Sequence, residues 1–198
     1  MKKRKLEILL EGVEKYRNPK SFLEQYFTPA VIAADILFFA WSMGDVEGKT
    51  IADLGAGTGI FTIGSGLLDA KMVYSVEIDK DAIEILKKNM EKYGIRAKII
   101  LGDVRDFNIP VDTVIQNPPF GSQNRHADLP FLEKAMEIGK VIYTLHNANT
   151  NDFIEEKIEA MGGKITHKKF YDFPIPHMFN FHRKERVIWK VILYRVNM

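Results

Sequence analysis

Strand-like and helix-like segments alternate along the chain from residue 50 onward, and this alternation most constrains what the chain can fold into. Runs rich in β-branched and other apolar residues occur at 50–54, 72–78, 97–101, 112–116 and 141–145. Helical patterns fill the intervals at 60–69, 80–92, 129–139 and 150–161. Because strands separated by helices form βαβ units, the pattern predicts an α/β fold with a parallel sheet and helices on both faces.

Both ends of the chain depart from this alternation. Residues 164–173 and 186–196 are strand-like with no helix between them, which predicts a C-terminal antiparallel hairpin and, in total, a mostly parallel seven-stranded sheet. Residues 4–16 have helical spacing, and Thr28-Pro29 resembles an N-cap followed by a first-turn proline. We expect residues 1–45 to form a helical arm that packs on the core, and residues 46–198 to form a single globular domain.

Composition excludes several classes of protein. The chain contains no cysteine, so it has no disulfides and no thiolate metal ligands, and we expect no metal site. No apolar run is long enough to span a membrane, and the basic start MKKRK is not followed by a signal-peptide pattern. We therefore expect a cytoplasmic protein. The net charge of +2 does not by itself indicate a nucleic-acid-binding protein.

A glycine-rich loop, DLGAGTG, follows the first predicted strand and opens a helix, with glycines at Gly55, Gly57 and Gly59. A dinucleotide-binding loop needs a glycine at its sixth position, and neither register supplies one. A phosphate-binding loop of the Walker type needs a Gly-Lys-Ser/Thr sequence, which is absent. The acidic Asp53 before the glycines would repel a pyrophosphate and favour a ligand that carries an ammonium group.

Acidic residues also follow the next two strands. Glu77 closes the second strand, at the spacing expected of a carboxylate that accepts hydrogen bonds from two ribose hydroxyls. Asp103, next to Val104, follows the third strand and is placed to accept a hydrogen bond from an adenine amino group. In such sheets the ligand lies at the carboxyl ends of the strands. These groups in chain order predict a site for S-adenosylmethionine (SAM).

The fourth strand ends in the sequence NPPFG at residues 117–121. Prolines cannot continue a central strand, and they keep the preceding residue out of the helical region. The side-chain oxygen of Asn117 and the carbonyl of Pro118 therefore form two fixed acceptors for the hydrogens of an sp2 amine. Pro119 rigidifies the corner, and Phe120 is predicted to stack on a planar substrate base. We interpret these four residues as the catalytic motif.

The segments DLGAGTG, VEID, GDV and NPPFG resemble those of the class I SAM-dependent methyltransferases. More specifically, LEQYFTPA, NPPFG, YTLH and FHRKE are similar to methyltransferase-like protein five and its archaeal relatives. The resemblance implies a Rossmann-like methyltransferase fold and methylation of N6 of an adenine in small-subunit ribosomal RNA. It places Gln25 and Thr28 over the cofactor. It also implies a small zinc-binding activator protein as a partner.

Basic and aromatic residues near the two ends of the chain are candidates for RNA contact. The N-terminal cluster includes Lys3 and Arg4, and the C-terminal group includes Phe181, Arg183 and Lys184. Charges interleaved with aromatic rings suit phosphates and unstacked bases. A further candidate is His146. The alternative for the basic segments is an ordinary solvated surface, and for His146 it is a histidine satisfied by hydrogen bonds within the protein.

Other functions remain open at this stage. The NPPF motif also occurs in enzymes that methylate guanine N2 in ribosomal RNA, and NPPY occurs in those that methylate glutamine in release factors. A protein with the SAM-binding fold but no activity is a third alternative, although an intact NPPF argues against it. DNA adenine methylation is less favoured because the chain lacks a separate target-recognition domain.

Overall fold

The computed structural model describes residues 1–121, 126–175 and 187–198, with Val187 described by its backbone only. The strands are β1 Thr50–Leu54, β2 Met72–Glu77, β3 Lys98–Leu101, β4 Val111–Gln116, β5 Gly139–Asn147, β6 Lys164–Ile175 and β7 Val187–Asn197. The helices are α1 Lys3–Glu11, α2 Ala30–Ser42, α3 Ile60–Leu67, α4 Lys80–Tyr93, α5 Leu129–Ile138 and α6 Asn151–Ala160. In the described ranges no helix is both long and apolar enough to cross a membrane.

The seven strands form one sheet in the order β3-β2-β1-β4-β5-β7-β6. β3, β2, β1, β4 and β5 are parallel, and β7 runs antiparallel to both of its neighbours, β5 and β6. The predicted mostly parallel sheet with a C-terminal antiparallel hairpin is confirmed. Because β1 lies between β2 and β4, the strand order reverses there, and a crevice opens at the carboxyl ends of β1 and β4.

Strand alternation divides the apolar side chains between two faces of the sheet. Ile115 of β4 packs with residues of the first three helices, including Leu10, Leu37 and Ile63. Its neighbour Val114 packs on the other face with residues of α5 and α6. Successive strand residues point to opposite faces, so each β4 residue belongs to one layer only. By the same alternation Gln116, the last residue of β4, lies on the same face as Val114.

The first helix is shorter than the expected helix over residues 4–16. It ends at Glu11, where side chains of α4 bind backbone carbonyls at its C-terminal end: Tyr93 Oη donates to Leu9 O at 2.6 Å, and Lys92 Nζ donates to O of the C-cap residue Gly12 at 2.6 Å. Beyond that point Asn89 bonds both the N–H and the C=O of Glu14. Residues 12–20, all described, contain no further helix.

The second helix begins one residue later than the capping pattern predicts. Pro29, not Thr28, occupies the N-cap position, and it makes no side-chain capping bond. The hydroxyl of Thr28 instead accepts a hydrogen bond from Asn117 Nδ2 at 3.0 Å. The prediction that Thr28 caps α2 is therefore wrong, because a partner 89 residues away occupies its oxygen.

Candidate active site

A cavity of about 360 Å³ lies at the carboxyl ends of the parallel strands. Its wall contains eight of the residues predicted from sequence to bind cofactor or substrate: Gln25, Thr28, Gly55, Glu77, Asp103, Val104, Asn117 and Pro119. The other five lie just outside the wall: Asp53, Gly57, Gly59, Pro118 and Phe120. The fold therefore brings together, in one cavity, residues that are up to 94 positions apart in the chain.

The glycine loop is held in a conformation that leaves no room for side chains. Gly55, Gly57 and Gly59 have φ angles of 70°, 56° and 94°, in the left-handed region that glycine alone adopts freely. A Cβ on Gly57 would lie 2.2 Å from the Tyr16 hydroxyl oxygen, and one on Gly55 would lie 2.9 Å from the Phe131 ring. Sequence reasoning missed Tyr16, since no motif surrounds it.

Glu77 lines the cavity with its carboxylate already anchored to the backbone. Its Oε2 accepts from Gly57 N at 2.7 Å, and its Oε1 accepts from Ile78 N at 2.9 Å and from Asp79 N at 2.8 Å. Burial nevertheless raises the pKa of this carboxyl, partly offset by these N–H groups. A carboxylate has about four acceptor sites in all, so these three N–H groups leave about one, on Oε2, for a hydroxyl.

Asp53 lies behind the loop, outside the wall of the cavity. The residue is 1% exposed, and its Oδ2 accepts a hydrogen bond from Thr62 Oγ1 at 2.6 Å. Burial raises the pKa of Asp53 to about 7, although the bond from Thr62 opposes the rise. Because Asp53 is not part of the cavity wall, this geometry gives no support to its predicted direct contact with a ligand.

Asp103 is paired with a residue that sequence reasoning did not single out. Arg105 donates from Nε to Oδ1 at 2.9 Å and from Nη2 to Oδ2 at 2.7 Å, and its backbone N–H also donates to Oδ1. The hydrogen bonds from Arg105 lower the pKa of Asp103 despite its partial burial. Both residues line the cavity, so any group that binds Asp103 meets a guanidinium beside it.

Gln25 is held at both ends of its amide. Its Oε1 accepts from Lys20 N at 2.7 Å, and its Nε2 donates to Asp79 Oδ2 at 2.6 Å. Lys20 Nζ in turn donates to Asp79 Oδ1 at 2.6 Å. These bonds tie the segment before α2 to the turn after β2, and so close one side of the cavity.

Asn117 lines the cavity with one end of its side chain held and the other unpaired. Its Nδ2 donates to Thr28, while its Oδ1 is buried and has no hydrogen-bond partner among the described residues. A buried polar atom without a partner is costly, and one on a residue that lines a cavity is a candidate to accept a hydrogen bond from a ligand. The bond to Thr28 holds the side chain of Asn117, and in this arrangement it is the amide oxygen that is left unpaired.

The aromatic ring of Phe120 is not free to stack on a substrate. The residue is 7% exposed, with its ring 6.2 Å from that of Tyr26, 5.4 Å from Phe173 and 5.9 Å from Trp189 between centroids. The prediction that Phe120 stacks on the base is wrong for this conformation, because other rings cover it. Phe22, an aromatic residue of the cavity wall, is by contrast 65% exposed.

The predicted RNA contacts have different outcomes. His146 is fully buried, with Nδ1 2.8 Å from Asp128 Oδ2 and Nε2 2.9 Å from Thr144 Oγ1, so direct contact with RNA is excluded in this conformation. Lys3 and Arg4 are exposed on α1, and they form ion pairs with Asp35 at 2.9 Å and Glu7 at 3.2 Å, respectively. Phe181, Arg183 and Lys184 lie outside the described residues.

The residues of the cavity fit SAM. The glycine loop presents backbone that side chains would block, and Glu77 and Asp103 each keep about one acceptor site, for a ribose hydroxyl and for an amino group respectively. The apolar side chains of Ile78 and Val104 lie in the same wall and suit an adenine ring. A buried carboxylate behind the loop favours a ligand that carries positive charge.

Comparisons with known proteins agree with this geometry. A model of the methyltransferase small domain family matches residues 33–139. An uncharacterized protein of Methanocaldococcus jannaschii is 42% identical over 99% of this chain and 94% of its own. The rRNA N(6)-adenosine-methyltransferase METTL5 of Danio rerio is 33% identical over 94% of each chain. A crystal structure from Pyrococcus horikoshii, described provisionally as an RNA methyltransferase, is 45% identical with a TM-score of 0.94, and the match covers 100% of this chain and 98% of that one.

Two independent observations thus agree: a cavity that fits SAM beside an Asn-Pro-Pro-Phe corner, and sequence identity over nearly the full length of known methyltransferases. The chain belongs to the methyltransferase small domain family, among the SAM-dependent methyltransferases that include METTL5.

Proposed function

We propose that this chain transfers a methyl group to N6 of an adenine in ribosomal RNA, with SAM as the methyl donor. The observation that carries the proposal is the unpaired, buried Oδ1 of Asn117 beside a cavity that fits the cofactor. The name of METTL5, an rRNA N6-adenosine-methyltransferase, supports adenine over other planar amines.

Asn117 and Pro118 solve the main chemical difficulty of this reaction. The lone pair of an exocyclic amine is delocalised into the ring, which makes the nitrogen a poor nucleophile. Acceptors that bind both amine hydrogens favour a pyramidal nitrogen and leave its lone pair facing the methyl group. We propose Asn117 Oδ1, which lines the cavity, and the carbonyl of the adjoining Pro118 as these two acceptors, with the bond to Thr28 holding the amide in place. No strong base is required, since the proton becomes acidic once the nitrogen is alkylated.

The target base must leave its own stack to reach this cavity. Phe22, exposed in the cavity wall, is the aromatic side chain best placed to receive a planar ring, because Phe120 is covered. We propose the small ribosomal subunit as the source of the RNA, on the family resemblance carried by LEQYFTPA and FHRKE. Phosphate contacts from exposed lysines and arginines would supply affinity without reading sequence.

The experiment is to incubate the purified chain with tritiated SAM and with small subunits, large subunits or extracted protein. Digestion and mass spectrometry of the labelled fraction then identify the modified residue. We expect N6-methyladenosine in small-subunit RNA from the wild type and from Asn149→Ala, an exposed asparagine outside the cavity. We expect none from Asn117→Ala. Label in N2-methylguanosine or in glutamine would replace the proposal with one of the alternatives, and no label at all would favour a non-catalytic role.

We also propose a small companion protein, the zinc-binding activator that the family resemblance implies. Among the described residues, β3 and β6 are the outer strands of the sheet. β6 carries exposed lysines, which discourage strand pairing, whereas β3 exposes Leu101 at 52%. Leu101→Glu should abolish co-purification of the companion from source cells. Full activity of the chain alone, with no companion recovered from the wild type, would contradict this proposal.

A further inference from the structure

A chain of buried hydrogen bonds runs beside the catalytic motif. Gln116, which directly precedes Asn117, donates from Nε2 to Thr144 Oγ1 at 3.0 Å. Thr144 Oγ1 lies 2.9 Å from His146 Nε2, and His146 Nδ1 lies 2.8 Å from Asp128 Oδ2. All four residues are buried, with exposures between 0% and 7%. They line no part of the cavity wall, so none of them has a direct role there.

The hydrogen bonds among these four side chains can all be donated in the same direction, from Gln116 toward Asp128. An amide nitrogen can only donate, so Thr144 Oγ1 accepts from Gln116 and its own hydrogen is available to His146 Nε2. A neutral imidazole that accepts at Nε2 carries its hydrogen at Nδ1 and donates it to the carboxylate of Asp128. Gln116 Oε1 and the second hydrogen of Gln116 Nε2 are left without a partner among the described residues.

This hydrogen-bond chain joins both ends of the segment that carries the motif. Residues 117–127 leave β4 at Gln116 and reach α5 at Asp128. Thr144 and His146, two residues apart on one face of β5, bind these two ends. Gln116 and Thr144 are also direct neighbours in the register of β4 and β5. One pair of side chains on β5 therefore sets where the segment starts and where it ends.

Asn117 is the residue that this arrangement affects most. Gln116 and Asn117 point to opposite faces of the sheet, where Thr144 binds the first and Thr28 binds the second. The end of β4 is thus held from both sides. We propose that Thr144, His146 and Asp128 are positioning residues for methyl transfer, which hold Gln116 and through it the acceptors at Asn117 and Pro118. This inference rests on the proposed function and adds to it how the acceptors are kept in place.

The test replaces the centre of the hydrogen-bond chain and compares it with a matched threonine. Thr144→Val removes the hydroxyl and keeps the branched shape, whereas Thr144→Ser keeps the hydroxyl. Thr113→Val is the control, because Thr113 is 1% exposed on β4 and its hydroxyl donates to Asp45 O at 2.6 Å, outside the cavity wall. Each variant is measured for kcat and KM for SAM, for melting temperature, and for amide hydrogen exchange in peptides that cover residues 117–131.

We expect Thr144→Val to lower kcat by about 10- to 100-fold, the scale for a displaced reacting geometry, with the KM for SAM within about twofold. Exchange over 117–131 should become faster. Thr144→Ser should restore both, and Thr113→Val should lower the melting temperature without either effect. Equal losses in Thr144→Val and Thr113→Val, or wild-type kcat and exchange in Thr144→Val, would overturn the inference.

If Thr144→Val does not fold, Asp128→Ala is measured in its place. Asp128 makes no capping bond to α5 and lies at the more exposed end of the hydrogen-bond chain. The same loss of kcat and faster exchange are expected from it. The exchange measurement needs no substrate. If the wild type does not methylate RNA, the proposed function fails, while the exchange rates still decide whether these residues hold the segment.

Discussion

Because the carboxyl of Asp53 is buried, we expect the stability of the protein to depend on pH in a way that can be calculated. Its pKa is raised from the ordinary value of 3.8 to about 7, chiefly by burial. The folded protein therefore binds a proton that the unfolded chain has already lost between these two pH values. The free energy of unfolding falls with rising pH wherever the folded state binds more protons than the unfolded state. The carboxyl of Asp53 therefore lowers the free energy of unfolding as the pH rises from about 4 to about 7.

The size of the effect follows from the same pKa values. A rise from 3.8 to about 7, at about 1.36 kcal/mol per pKa unit, corresponds to about 4 kcal/mol between the two ends of the range. Asp53→Asn mimics the neutral acid and keeps an oxygen for Thr62. The variant should match the wild type in stability near pH 4. It should exceed the wild type by up to about 4 kcal/mol near pH 8.

Urea unfolding at several pH values and constant ionic strength measures this difference. Because other groups titrate in both proteins, the quantity of interest is the variant minus the wild type at each pH. Asp112→Asn is the control, since hydrogen bonds from Lys140 and Thr50 lower the pKa of Asp112. Its contribution is complete above the unfolded pKa of 3.8 and is lost only as the pH falls below that value, so the difference for Asp112→Asn should hardly change between pH 4 and pH 8. A difference for Asp53→Asn that does not change between pH 4 and pH 8 would refute the reasoning.

Three further predictions concern the cavity and the RNA. Glu77→Ala should weaken SAM binding by about 1–3 kcal/mol in calorimetry, the scale for losing charged hydrogen bonds, and an unchanged affinity would contradict the role of Glu77. Thr28→Val should lower kcat by about tenfold with little change in KM for SAM. The reason is that Asn117 loses the hydrogen bond that orients it, which is worth about 1 kcal/mol. Equal changes in kcat and KM would instead indicate general damage to the site. Arg183→Ala with Lys184→Ala should weaken RNA binding and lower the log–log salt slope by about 0.7–0.9 per lost phosphate contact, with SAM affinity intact. A wild-type slope would make these two residues part of an ordinary solvated surface.

Much of the fold could be predicted because its signals are local. The strand over residues 50–54 was predicted with the boundaries that the structure has, since an apolar run ends at a glycine loop. The helix that begins at Lys80 follows Asp79, whose side chain accepts from Asp81 N as an N-cap should. The length of α1 could not be predicted, because the side chains that end it come from α4, more than 75 residues further on.

The sequence alone determined that Gly55, Glu77, Asp103 and Asn117 stand at or just beyond the ends of strands. Because the carboxyl ends of parallel strands meet at one edge of a sheet, that was enough to predict that these groups lie in one site. Only the tertiary structure decided what each group can do there. Phe120 became part of an aromatic cluster rather than a stacking surface, and His146 became a buried hydrogen-bonding partner rather than an RNA contact. Tyr16 reached the glycine loop without any motif around it. The physical reason is that burial and hydrogen bonding depend on residues far apart in the chain, whose contacts no local pattern records.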